Sequence, residues 1–135
     1  MDYYYHEFEK LEEEFHDVIS HYPLFKEMID DIEKNDIKEI NELLENDDEF
    51  YLKKAIRKIK DLIAYVKKTS LRIDEEYQKF DKLAKEWEKK EFDNLDDSSL
   101  KKINNQVKQA NELIKSHDLN EIMEANKIME KLLKW

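Results

Sequence analysis

Residues 52–87, LKKAIRKIKDLIAYVKKTSLRIDEEYQKFDKLAKEW, set Leu52, Ile56, Ile59, Ile63, Val66, Ser70, Ile73, Tyr77, Phe80, Ala84 and Trp87 at alternating steps of four and three. Ten of these eleven side chains suit an apolar core, and Ser70 is the hydrophilic exception. Five heptads kept in register predict one long helix, about residues 49–92, with a continuous apolar edge laid against other helices. Such a helix spans about 60 Å at 1.5 Å per residue, against a radius of gyration of about 14 Å for a compact domain of this length. The expected fold is therefore all-α: an elongated antiparallel helical bundle organised on one coiled-coil-like helix, with Thr69-Ser70 as the place where that helix would bend.

The rows beside the edge refine this. With Ile56 and Ile63 at heptad position a, position g reads Ala55, Leu62, Thr69, Glu76 and Leu83, so the apolar stripe is wider than a two-stranded coil requires. A bundle suits it better. Position e reads Lys53, Lys60, Lys67, Asp74, Asp81 and Glu88, reversing sign at its midpoint. Two copies crossing antiparallel would match Lys53 with Glu88, Lys60 with Asp81 and Lys67 with Asp74. These six residues and Arg57 are the candidate partner-binding set, and a homodimer is one candidate assembly. The simpler reading lays the lysine-rich half on acidic helices of its own chain.

Charge distribution supports that reading. The 135-residue chain carries −10, with −14 in residues 1–49 and +5 in residues 50–91. The basic run Lys53-Lys54-Ala55-Ile56-Arg57-Lys58-Ile59-Lys60 thus follows an acidic third, and attraction between them is expected. The chain contains no Gly, one Pro and no Cys. Lacking Gly, it has no easy route to tight hairpin turns or phosphate-cradling loops. Lacking Cys, it has neither disulfides nor Cys-type zinc sites. The start, Met1-Asp2-Tyr3-Tyr4-Tyr5, has neither the basic nor the apolar region of a secretion signal, and no apolar run approaches the ~20 residues of a membrane span. A cytoplasmic location without membrane contact is expected.

The length suits a single helical domain, with acidic short helices over 1–46, the long helix over 49–92 and a helical hairpin over 98–135. Tyr4, Phe8, Leu11, Phe15 and Val18 predict a first helix over 2–20. Beyond Pro23, Leu24, Phe25, Met28, Ile29 and Ile32 predict a short helix ending near Asn35, and a third runs from about Ile37 to Glu45. Asp47-Asp48 caps the long helix, which ends near Phe92-Asp93-Asn94. Residues 25–44 and 107–126 align without gaps and share six identities, including Asp36/Asp118, Glu39/Glu121 and Ile40/Ile122. Asp followed three residues later by Glu has the spacing of a capping box. Each copy therefore reads as helix, sharp turn, helix.

No constellation argues for catalysis. Glu13-Glu14-Phe15-His16 contains the Glu-x-x-His spacing of di-iron bundles, but such sites need a second copy, and neither His6, His21 nor His117 supplies one. Paired carboxylates are frequent, yet acid–base work requires a pocket that perturbs them. No enzyme activity, metal or cofactor is expected. Tyr51 and Tyr65 beside the basic run could suggest nucleic acid, but the neighbouring −14 segment repels phosphate. The opposite arrangement, an acidic inhibitor that mimics nucleic acid and blocks a basic partner surface, is the alternative reading. The aromatic start (Tyr3, Tyr4, Tyr5, Phe8) and Trp135 read as chain ends packed on the bundle, or as anchors for a partner.

The stretch Asp93-Asn94-Leu95-Asp96-Asp97-Ser98-Ser99-Leu100, followed by Ala110-Asn111-Glu112-Leu113-Ile114-Lys115-Ser116-His117-Asp118-Leu119-Asn120-Glu121-Ile122, resembles the helical lid of DnaK-type heat-shock chaperones. There a long helix leads through a loop into a short bundle, and the likeness covers about Ile63 to Leu133. It implies a detached, chaperone-like module that binds proteins and has no ATPase activity. The chain is thus expected to be a non-catalytic protein–protein interaction module, an adaptor or chaperone-like bundle.

Overall fold

A computed structural model describes residues 2–92 and 95–135. Its regular elements are all helical: α1 (Asp2–His21), α2 (Lys26–Asp31), a π-helix (Ile32–Ile37), α3 (Lys38–Leu44), α4 (Glu49–Glu88), α5 (Asp97–Ile114) and α6 (Leu119–Leu133). Among the described residues there is no strand. The chain divides into two compact units, Met1–Leu71 and Arg72–Trp135. The division falls inside α4, which is unbroken at Thr69-Ser70.

Helix α4 forms where its periodicity places it. Asp48 caps its start, the carboxylate accepting the Phe50 amide at 2.9 Å and the carbonyl accepting the Leu52 amide at 3.1 Å. Eight of the eleven edge positions are buried, and Tyr77, Ala84 and Trp87 are half-buried. Ala55, Leu62 and Glu76 from the neighbouring row are buried too, which gives the wide stripe of a bundle helix. The helix ends at Glu88, short of the expected stop near Phe92. Asp93 and Asn94, where that stop was also placed, lie outside the described residues.

In the first unit, Phe8, Phe15 and Val18 of α1, Ile32, Ile40 of α3, and Leu52, Ile56, Ile59, Ile63 and Val66 of α4 form one apolar cluster. Each such side chain removed from water contributes about 1.5–3 kcal/mol before the cost of ordering the chain. Ser70, buried at the end of this stretch, donates its hydroxyl to the Pro23 carbonyl at 3.0 Å. The hydrophilic exception in the edge therefore satisfies the carbonyl of the one residue that interrupts the first helices.

In the second unit, Phe80, Ile103, Ala110, Ala125, Met129 and Leu132 form a separate cluster. Asp96 caps α5 by accepting the Ser99 amide at 2.7 Å, and Asp118 caps α6 by accepting the amides of Asn120 at 2.8 Å and Glu121 at 3.3 Å. At the other end of α6, the Lys90 ammonium donates to the carbonyls of Leu133 at 2.6 Å and Leu132 at 3.4 Å. A cation placed there meets the negative end of the helix dipole.

The two aligned segments do not fold alike. Asp118 stands outside α6 in extended backbone, so its copy is the expected helix, turn, helix. Asp36 lies inside an unbroken run from Lys26 to Leu44, in which Ile32–Ile37 is wound as a π-helix. The expected break between Asn35 and Ile37 is absent. Ile37, at the start of α3, has helical backbone and no side-chain cap. A favourable capping spacing was overridden here by packing, since Ile32 and Ile40, on either side, are both buried in the core of the first unit.

Candidate docking cleft

The charged row of α4 is engaged within its own unit. Lys60 lies 3.2 Å from a Glu7 oxygen and Lys67 3.8 Å from a Glu14 oxygen, so two lysines one heptad apart meet two α1 glutamates one heptad apart. Lys58 lies 3.8 Å from Asp36 and also contacts Glu39. Lys53 pairs with Glu49 at 3.0 Å and sits over the Tyr4 ring at 5.1 Å. That carboxylate, first of all, and then Tyr4, hold the Lys53 ammonium above its usual range; reciprocally, Lys53 holds Glu49 below its own. Burial, and then the hydrogen bond to Asp47, raise the Tyr5 hydroxyl.

Of the candidate partner-binding set, Lys53, Arg57, Lys60 and Lys67 thus cluster on the α1 side of the first unit. Arg57 shares a shallow depression with Tyr4, Glu7, Lys53, Ile56 and Lys60. Asp74 accepts a hydrogen bond from Gln78 at 3.0 Å, while Asp81 and Glu88 are exposed. Antiparallel self-pairing would need the apolar edge free, but Ile56, Ile59, Ile63 and Val66 are already covered by helices of the same chain. Such pairing would first have to displace α1. The lysine-rich half lying on its own acidic helices is the arrangement observed.

A different surface offers a site. Between α1 and the run from α2 to α3 lies a cleft of about 390 Å³. Phe8, Phe15 and Ile19 form one wall, Ile29, Ile32 and Ile37 the other, and Ile40 and Ile59 complete the lining. Ile19, Ile29 and Ile37 are only half-buried, so the cleft presents apolar surface. Its polar members, Glu12, His16, Glu33 and Asn41, are all exposed and form the rim, with Glu12 and Glu33 on opposite walls. A concave apolar surface with a few polar groups at its edge is the usual form of a binding site.

The α1 wall runs from Phe8 to Ile19, about 16 Å, or three helical turns. The opposite wall owes its shape to the π-helix, which supplies Ile32, Glu33 and Ile37. π-Turns inside α-helices recur at functional sites. Sequence reasoning placed Phe8 and Phe15 on the apolar stripe of the first helix, with Phe8 also among the chain-end aromatics, and Ile29 and Ile32 in the short second helix. It singled out His16 only as half of an Glu-x-x-His pair, and had no signal for a cleft because it assumed a turn where the π-helix runs.

Among the described residues no group of three or more His, Asp or Glu is placed to hold a metal ion. No described helix is long and apolar enough to cross a membrane. Compared with known proteins, the chain matches no family model, no curated protein and no solved structure.

Proposed function

We propose that the first unit is a protein-docking module whose cleft accepts an amphipathic helix of a partner protein, with an apolar stripe facing inward and Lys or Arg on both flanks. The observation that carries this is the cleft's composition: isoleucine and phenylalanine on floor and walls, with a carboxylate on each opposing rim. Helix-in-groove recognition uses this pairing of apolar anchors and flanking charge. The wall length suits about three turns of such a helix. Residues 1–71 carry −8, which speeds encounter with a cationic segment and disfavours an acidic one. The likeness of residues 63–133 to a chaperone lid points to the same non-catalytic class.

The acidic-mimic reading has thinner support. Glu7, Glu14, Asp36 and Glu39 face Lys60, Lys67 and Lys58 of the same chain, which withdraws four of the eighteen acids of residues 1–49 from any basic partner.

The test is a titration of the full chain with a twelve-residue helical peptide of leucine and lysine, the leucines spaced i, i+3, i+4, i+7. Methyl NMR should show shifts concentrated at Ile19, Ile29 and Ile37. The same peptide with glutamate replacing lysine should bind at least about ten-fold more weakly, a difference of about 1.4 kcal/mol. Equal affinity for both peptides, or shifts centred elsewhere, would refute the reading.

A further inference from the structure

The two aligned segments hold the same capping signature in different states. In the second, Asp118 has φ −133° and ψ 121° and accepts the amides two and three residues ahead. In the first, Asp36 keeps the same spacing to Glu39 but sits within continuous helix. The backbone there changes register: Ile32–Ile37 is π-helical, and the Lys38 amide donates to the Asn35 carbonyl, only three residues back. A π-turn accommodates a surplus residue in the helix, and that surplus is located where the second copy instead breaks.

The other difference is Lys58. It reaches from α4 to both carboxylates of the signature, 3.8 Å from Asp36 and in contact with Glu39. Its side chain is 26% exposed, so it reads as a surface latch and not as core. At α6, Asp118 instead accepts the amides of Asn120 and Glu121.

We propose that residues 33–39 form a two-state hinge: a continuous π-containing helix, favoured by burial of Ile32 and Ile40 and further by Lys58, that opens at Asp36 into helix, turn, helix as a minor state. In the broken state the Asp36 carboxylate turns from Lys58 to the amides of Lys38 and Glu39, as Asp118 does with Asn120 and Glu121 in α6. The Lys38 amide then leaves the Asn35 carbonyl. Each state satisfies the same carboxylate with different donors, which is what allows a small bias to select between them. Because Ile32, Glu33 and Ile37 line the cleft, the break redraws one of its walls. The hinge stands on the segment's own geometry, whatever fills the cleft.

The test needs no ligand. Lys58→Met keeps the aliphatic stem and removes the charge. In the full chain it should leave the Asp36 carbon chemical shifts helical but raise the open population, speeding amide exchange at Asn35–Ile37 about five-fold or more. Amides of α5 and α6 should be unchanged, which controls for folding. Adding Asp36→Ala removes the cap of the broken state, so the double variant should return to exchange within about two-fold of the parent. Unchanged exchange at Asn35–Ile37 in Lys58→Met, or a double variant that exchanges as fast as Lys58→Met alone, would overturn the proposal.

Discussion

Asp36 and Asp118 show how little a residue's identity says about its role until its surroundings are known. Both precede a Glu by three residues, yet only Asp118 accepts backbone amides at a helix start. Asp118→Ala should therefore cost about 1 kcal/mol in urea unfolding, while Asp36→Ala should cost no more than a few tenths. Asp96 makes a second residue-scale prediction. The Ser99 amide, and then the Ser99 hydroxyl, hold its carboxyl below the ordinary value of 3.8. A carboxyl whose acidity is strengthened by folding contributes stability above its unfolded value and loses it as pH falls through the folded one. The melting temperature of Asp96→Ala should thus lie below the parent's at pH 6, and the gap should close on acidification below about pH 4. A gap that does not narrow on acidification would contradict this assignment.

At the scale of elements, the repeat in α4 was sufficient to place its buried edge residue by residue, including the wide stripe through Ala55 and Leu62. Glu76, in the row beside that edge, is a charged member with no apolar reason to be inside. The structure supplies a reason: the Asn126 side-chain amide, 1% exposed in α6, donates to a Glu76 carboxylate oxygen at 2.6 Å and to its backbone carbonyl at 3.0 Å. Arg72 lies 3.4 Å from the other carboxylate oxygen. Asn126→Ala should cost about 1–3 kcal/mol, because it strands a buried acceptor. Glu76→Leu combined with Asn126→Leu should be more stable than either single change, since an apolar pair strands nothing. Denaturant midpoints of the four proteins form the cycle that checks it. The pair links particular positions of α4 and α6, and no single-sequence pattern announces it, because the partners are fifty residues apart.

For the whole molecule, the −10 charge and pI of about 5.0 predict lowest solubility near pH 5, with turbidity falling on either side. A flat turbidity profile between pH 4 and 7 would argue against that. Fold class, the extent of α1, the start and buried edge of α4, the caps at Asp48 and Asp118, and the meeting of the lysine-rich run with acidic helices were all readable in the chain. They follow from periodicity, capping chemistry and charge, which act between near neighbours or along one helix. The unbroken run from α2 to α3, the cleft beside it, the Ser70–Pro23 bond and the Glu76–Asn126 pair came only from tertiary packing. Local propensity at Asp36 amounts to about 1 kcal/mol, and burying Ile32 and Ile40 together contributes more, so the core overrules the cap. A site shaped by packing against a local preference becomes visible only when the competing contacts are present in three dimensions.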